Sequence, residues 1–339
     1  MRWGIIGTGR IARTFAAAVR AAGPPEELRA VACRAGGSVE RPEDFTGAAI
    51  HAGYERIIDD PTVDVVYVAT PHSLHREWSI AALAGGKHVL CEKPIGTSAA
   101  DAVAVVAAAR SADRFLAEAF MYRFGPLVES LVAILRSGEA GRIRLAEAGT
   151  GNRIARDPRS RLFDPARGGG AILDLGGYPL SIVRLVAGMA AGTGFADPVT
   201  LSGAATLGPT GVEEWAAATL AFPDGLLAQV RCGITVAEVN GLRLWGEEGT
   251  IAVTSPFFAG IPGRPAGEIL FTPTDGPPRR LGFADAPSPF VSEVRAVSAA
   301  VAAGRREPSF PAMSWADTIG NMVALDRWRA SVVPAPAEG

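Results

Sequence analysis

The sequence predicts an α/β protein in two domains: a doubly wound parallel sheet at the N-terminus, then an α+β domain with a large, mainly antiparallel open sheet. Three observations support this. The 339 residues exceed the roughly 100–200 residues of one ordinary domain. Short apolar runs alternate with helical periodicity up to residue 120. Beyond it, strands separated by turn signals replace that alternation.

Trp3 to Ile6 reads as a buried strand, followed by Gly7-Thr8-Gly9-Arg10-Ile11-Ala12 and an apolar helical run through Phe15, Val19 and Ala22 that Gly23-Pro24-Pro25 ends. A glycine turn between a first strand and a helix has a specific use. Gly7 permits the tight turn, Gly9 lets backbone approach a pyrophosphate, and Ala12 stands for the third glycine where helix meets strand. Gly7, Thr8, Gly9, Arg10 and Ile11 are therefore expected to cradle a dinucleotide in a Rossmann domain. The second strand is expected at Leu28 to Cys33. The residue about 20 past the glycines is where an acid reads the ribose hydroxyls of NAD; here it is Arg34, which pairs with a 2′-phosphate and favours NADP(H) over NAD(H).

Val63 to Ala69 has the β-branched content of a central parallel strand. Ligands sit at the carboxyl ends of such strands, so Thr70, Pro71, His72 and His75 are expected along the cofactor, with capping or loop hydrogen bonding as the other reading of the two histidines. A helix through Trp78 to Leu83 leads to a strand from Lys87 to Cys91, which runs into Glu92-Lys93-Pro94. A helix from Ser98 to Ser111 and a strand from Phe115 to Phe120 complete five strands. The second domain begins with a helix at Pro126 to Ser137. Strands are expected at Arg142 to Gly149, Val199 to Leu207, Glu214 to Phe222, Leu226 to Val236, Leu242 to Trp245 and Thr250 to Val253, and helix returns from Phe290 to Arg329. The expected division is 1–120 for the dinucleotide-binding domain, 121–332 for the substrate-binding and dimerisation domain, and 333–339 for a flexible Pro-Ala tail.

Composition excludes several classes of function. With 33 basic and 35 acidic residues the net charge is −2, and neither sign is massed, so no nucleic-acid or anionic-membrane surface is expected; the partner is a small molecule. The three cysteines form no C-x-x-C pair and the four histidines no ligand spacing, so no metal is expected. No G-x-S-x-G nucleophile elbow occurs. No secretory leader is read at the start, and charges such as Asp101, Arg110, Asp174 and Arg184 break the apolar runs; no membrane span and a cytoplasmic location are expected. The second sheet has too few helices to cover both faces, which predicts a homodimer or dimer-based oligomer.

Only two of the 33 basic residues are lysine, Lys87 and Lys93. Where arginine is used wherever a cation suffices, a lysine marks chemistry in which a proton is lost, which guanidinium does not allow. Oxidising a secondary alcohol needs a group that takes the hydroxyl proton, and a phenol with an ordinary pKa of about 10 is too weak a base until an ammonium stands beside it. Asp174 and Tyr178 lie four residues, one helical turn, apart and are expected on one helix face; read in isolation, Tyr178 is a helix-packing tyrosine and Asp174 an acid at a helix N-terminus.

The glycine turn, Glu92-Lys93-Pro94 and Gly168-Gly169-Gly170-Ala171-Ile172-Leu173-Asp174-Leu175-Gly176-Gly177-Tyr178-Pro179, in that order, resemble the Gfo/Idh/MocA oxidoreductases. The likeness is densest over residues 1–180 and is nearest to the branch of dimeric dihydrodiol dehydrogenases, NADP-dependent xylose dehydrogenases and glucose-fructose oxidoreductase. The resemblance implies that Lys93 lies beside the nicotinamide with Glu92, that Lys93, Asp174 and Tyr178 are catalytic, that Arg123 lies near the cofactor and that Tyr122 lines the substrate pocket. Tyr178 stands where other branches carry histidine. Arg153, Phe163 and Phe290 are further pocket candidates, each with a plain alternative as a solvated arginine or core phenylalanine. Gly125 before Pro126 replaces a histidine usual in the branch, and Gly177 a frequent cysteine; both changes enlarge the pocket. The activity implied is NADP-dependent oxidation or reduction of a sugar, cyclic polyol or dihydrodiol. Two other classes share the fold: a non-catalytic NAD(P)-binding regulator, against which Lys93 with Tyr178 argues, and an NAD-dependent glycosidase, against which Arg34 argues.

Overall fold

Strand β1 (Arg2–Ile6) is buried along nearly its whole length and lies at the middle of a six-stranded sheet, in the computed structural model that describes residues 1–157, 159–237 and 240–332. It is followed by α1 (Arg10–Ala22), β2 (Glu27–Cys33), β3 (Ala49–Ala52), α2 (Glu55–Ile58), β4 (Val65–Val68), α3 (His75–Ala84), β5 (His88–Glu92), α4 (Ala99–Ala112) and β6 (Leu116–Ala119). All pairings are parallel, in the order β3-β2-β1-β4-β5-β6. The order reverses between β1 and β4, the switch point outside which dinucleotides bind in such sheets. Phe15 of α1 stacks on Tyr67 of β4, ring centroids 3.7 Å apart, and Trp3 meets Phe15 edge-on. The sixth strand is a correction to the expected five: β3 is four residues long, lies at the sheet edge and is mostly exposed, so it carries no apolar alternation.

Helix α5 (Pro126–Ser137) and β7 (Ile143–Gly151) open the second unit, whose core helix α6 (Gly177–Ala191) follows directly on a π-helical turn, Ile172–Gly176. Strands β8 (Thr200–Leu207), β9 (Glu213–Ala221), β10 (Leu227–Gly233), β11 (Gly241–Gly246), β12 (Gly249–Thr254), β13 (Glu268–Pro273) and β14 (Arg279–Gly282) join β7 in an eight-stranded sheet ordered β14-β13-β12-β11-β7-β10-β9-β8. Only the central β7–β10 pair is parallel. β13 and β14 were not expected. The helical stretch Pro165–Ala191 is long and apolar enough to cross a bilayer, so its charges do not interrupt it as expected; yet 89% of its most apolar window is buried within the protein, as in a core helix. One face of the sheet packs on α6, while Trp215, Leu227 and Leu145 of the other are 48%, 50% and 38% exposed.

The division of the chain also differs from the expected linear one. Helix α7 (Pro289–Ala302) and the segment to Thr318 belong with residues 1–125, and the second unit comprises Pro126–Ala286 with the chain from Ile319, so that α8 (Trp315–Val332) begins in one unit and continues in the other. The expected tail, 333–339, lies outside the described residues. α7 packs along α1 and against the turn Met121–Phe124, burying Phe290, Val291, Val294 and Val297. Each large aliphatic or aromatic side chain so buried contributes roughly 1.5–3 kcal/mol. Residues 1–125 alone are therefore predicted to aggregate or to unfold at lower urea than the intact chain; a soluble 1–125 fragment with the intact chain's urea midpoint would contradict this assignment of α7.

Candidate active site

The glycine turn is shaped by its neighbours. Gly7 has φ +112°, its N–H donates to Ala32 O at 2.9 Å, and a Cβ there would stand 2.5 Å from Ala69 O, so only glycine fits. At Gly9 a Cβ would meet nothing within 4 Å. That open space lies at the N-terminus of α1, which has no side-chain cap and no acid in its first turn, so its leading N–H groups are available to an anion. Arg10 and Arg34 are exposed, and among the described residues neither has a carboxylate within ion-pair distance. Thr70, after β4, is buried with its Oγ1 unpartnered. An uncapped helix end, two unpaired guanidiniums and an orphaned hydroxyl fit a phosphorylated dinucleotide.

Strand β5 delivers Glu92 and Lys93 to the same end of the sheet, where buried side chains hold three successive backbone groups. Glu92 accepts the Lys93 N–H at 3.2 Å and the Tyr67 hydroxyl. His75 Nδ1 lies 2.6 Å from Pro94 O, and its Nε2 2.8 Å from Thr70 O. Glu118, at the end of β6, accepts the Ile95 N–H at 2.9 Å. Lys93 itself is partly exposed. The other lysine has a structural role: Lys87 Nζ donates to Asp60 O and Val63 O.

Burial raises the pKa of two carboxyls in this unit. Burial pushes Glu118 up to about 8, with Asp317 adding to the rise while the Ile95 N–H, Thr318 and Lys93 oppose it. Glu293 of α7 is fully buried with neither oxygen bonded, and burial together with Glu92 pushes it well above the usual carboxylate range. Arg123, expected near the cofactor, also has a structural role. Its guanidinium is 1% exposed, donates to Pro311 O at 2.6 Å and pairs with Asp317 at 3.1 Å, tying down the segment that returns to this unit. Phe290 and Tyr122 are buried, the former in the α7 packing, the latter edge-on to Phe120; His72 is buried with its ring edge-on to His75.

In the second unit Asp174 lies in the π-helical turn and Tyr178 in the first turn of α6, so the expected continuous helix is widened between them; π-turns recur at functional sites. Arg161 pairs with Asp174 at 3.0 Å. Tyr178, 4% exposed, packs against Phe257 and Phe258, ring centroids 5.5 and 5.3 Å away. Phe163 is buried and Arg153 exposed. Arg161, Phe257 and Phe258 were not anticipated; the adjacent pair Phe257-Phe258 after a strand was the one available signal. Among the described residues no cluster of metal-ligating side chains occurs.

Comparison with known proteins agrees with this architecture. Residues 1–120 match the model of an oxidoreductase family with an NAD-binding Rossmann fold, and residues 128–252 the GFO/IDH/MocA C-terminal domain. The chain belongs to the Gfo/Idh/MocA oxidoreductase family. It is 35% identical over 260 residues to trans-1,2-dihydrobenzene-1,2-diol dehydrogenase of Sus scrofa, covering 76% of this chain and 75% of that protein, and 34% identical to the Homo sapiens enzyme over the same shares. Among solved structures, the aldose-aldose oxidoreductase of Caulobacter crescentus with glycerol superposes with TM-score 0.82 at 25% identity, over 98% of this chain and 97% of that one. A 3-ketoreductase of Actinomadura kijaniata with NADP and TDP-benzene gives 0.83 at 27%, over 98% of each chain. This Gfo/Idh/MocA protein is thus an NAD(P)-binding oxidoreductase.

The neutral Glu118 sets a stability signature for this oxidoreductase. Its folded-state value, about 8, lies above the ordinary 4.5, so its contribution is fully present below about pH 4.5 and is lost as pH rises towards 8. Glu118→Gln keeps the acceptor for Ile95 and removes the titration. The fall in Tm between about pH 5 and 8 is predicted to be shallower in Glu118→Gln than in wild type; identical slopes would contradict the assignment.

Proposed function

We propose that this oxidoreductase is an NADP(H)-dependent dehydrogenase or reductase that interconverts a secondary alcohol and a carbonyl on a sugar, cyclic polyol or dihydrodiol. The observation that carries the reading is the fixed lysine turn at the carboxyl end of β5, on the same sheet end as the glycine cradle and Thr70. The relatives' activities, on a dihydrodiol, on aldoses and on a keto group with NADP, support it. Gly7, Thr8, Gly9, Arg10 and Ile11 would hold the pyrophosphate, Arg34 the 2′-phosphate, and the Thr70 loop with Glu92 and Lys93 the nicotinamide end. Bound NADP(H) supplies the acceptor or donor of the hydride.

The chain's own residues then handle the proton. Lys93 places an ammonium on the reacting oxygen and lowers the pKa of the phenol that takes or gives its proton. Tyr178 is that phenol, kept from water by Phe257 and Phe258. Asp174, paired with Arg161, accepts a substrate hydroxyl hydrogen bond and fixes the ring. Lys93→Met and Tyr178→Phe are each predicted to lower kcat by about 10²-fold or more, with NADPH affinity little changed. The rising alkaline limb of the oxidation profile disappears in Tyr178→Phe; near-wild-type turnover in that variant from about pH 6 to 10 excludes Tyr178 as the base. Arg34→Ala is predicted to cut the NADP(H)-to-NAD(H) affinity ratio by about tenfold or more, about 1.4 kcal/mol per decade. Measured dissociation constants with an unchanged ratio would remove that role. A panel of aldoses, inositols and aromatic dihydrodiols followed by NADPH absorbance tests the activity itself.

The unit from Pro126 to Ala286 is the proposed substrate-binding and dimerisation part. Its open sheet face, with Trp215, Leu227 and Leu145 exposed, supports a homodimer or dimer-based oligomer, because an apolar patch of that kind is stabilised by being covered. Trp215→Glu is predicted to shift the mass in light scattering from a dimer or multiple of it to 35.1 kDa; a wild-type mass of 35.1 kDa at micromolar concentration contradicts the oligomer. Three buried cysteine thiols support a reducing, cytoplasmic setting.

A further inference from the structure

We infer that His75 is a positioning residue that works as a doubly protonated imidazolium, tying the loop after β4 to the lysine turn and so holding Lys93 in register with the cofactor loop. The inference rests on the proposed role of Lys93 for its catalytic consequence, but not for the charge state itself. Both ring nitrogens of His75 face backbone carbonyl oxygens, Nδ1 at 2.6 Å from Pro94 O and Nε2 at 2.8 Å from Thr70 O. A carbonyl oxygen only accepts, and a neutral imidazole has a single N–H. In either neutral tautomer one ring lone pair would point at a carbonyl lone pair within hydrogen-bond distance, in a residue that is 0% exposed. The cation satisfies both contacts.

The surroundings set what this costs and what offsets it. Burial disfavours the charged ring, as does its place at the N-terminus of α3. Two short charge-assisted hydrogen bonds oppose that cost. The ionisable groups of the elements around it are His72 on its own turn, whose ring is 5.5 Å away; Arg76 and Glu77 on α3; Asp101, which pairs with Arg76, and Arg110 on α4; Tyr67 on β4; and His88, Cys91 and Glu92 on β5, followed by Lys93. Cys91 stays a thiol because burial pushes it up.

The two ends of the tie have different consequences. Pro94 O adjoins Lys93, so losing that contact displaces the ammonium; Thr70 belongs to the cofactor loop, with its hydroxyl buried and unpartnered. An asparagine amide can replace the Nδ1 donor and a glutamine amide the Nε2 donor. His75→Asn therefore keeps the tie to Pro94, and His75→Gln the tie to Thr70.

The charge state is tested on the full wild-type chain without cofactor, labelled with 15N-histidine and assigned by the signal lost in His75→Gln. At about pH 8, where an ordinary imidazole of pKa about 6.5 is neutral, both His75 ring nitrogens are expected to carry a proton. A single protonated nitrogen overturns the inference, whatever the variants do. The positioning role is read from NADPH titrations and from kcat on whichever alcohol of the panel wild type oxidises. His75→Asn is expected to raise the NADPH dissociation constant more than it lowers kcat, and His75→Gln to do the reverse, each by about tenfold in its dominant effect. Equal effects on both quantities in the two variants mean a scaffold residue only. Failure of wild type to bind NADPH would count against the proposed function and leave the NMR result standing by itself.

Discussion

The site depends on how one short backbone segment is fixed. Lys93, Pro94 and Ile95 emerge from β5 with no strand to pair with, and three ionisable side chains, Glu92, His75 and Glu118, take up one backbone group of each in turn. Loops at strand ends are ordinarily mobile because their polar groups turn to water. Here those groups are bonded inside the protein, and the elements that supply the partners, β4 through Thr70, α3, β5 and β6, are the ones the parallel sheet already orders. Positional accuracy at an ammonium follows from the sheet's packing. The cost is a group of buried carboxyls, Glu118 and Glu293, that remain protonated where an ordinary glutamate ionises.

Much of this was legible in the sequence, for a physical reason. Glycine at position 7 is dictated by a positive φ and a carbonyl 2.5 Å from where a Cβ would be, and such backbone constraints leave a residue-type signature. Central strands such as Val65–Val68 are buried on both faces and read as continuous apolar runs. β3, at the edge and exposed, has no such pattern. The rarity of lysine directed attention to Lys93, but the same argument applied to Lys87, which proved to hold two carbonyls far along the chain. Composition marked both and could not tell them apart.

What the sequence withheld were contacts between distant residues. Arg161 reaches Asp174 across 13 residues, Phe257 and Phe258 reach Tyr178 from the segment after β12, and Glu118 reaches Ile95 across 23. None has a period or spacing that betrays it. The return of Pro287–Thr318 to the first unit is of the same kind: helical periodicity locates α7 and α8 but not the surface they cover. Arg123 illustrates the consequence, since its partner Asp317 lies 194 residues away and its burial gives it a structural task.

The lysine turn is as rigid as the sheet that carries it, and one measurement tests this directly. Native-state hydrogen exchange reports the free energy needed to expose each amide, from near zero in mobile loops to the full unfolding value in a core. The Lys93 and Ile95 amides, held by Glu92 and Glu118, should exchange as slowly as the amides of β4, through global unfolding. Exchange of either at the rate of an exposed loop, while β4 remains protected, would contradict the account.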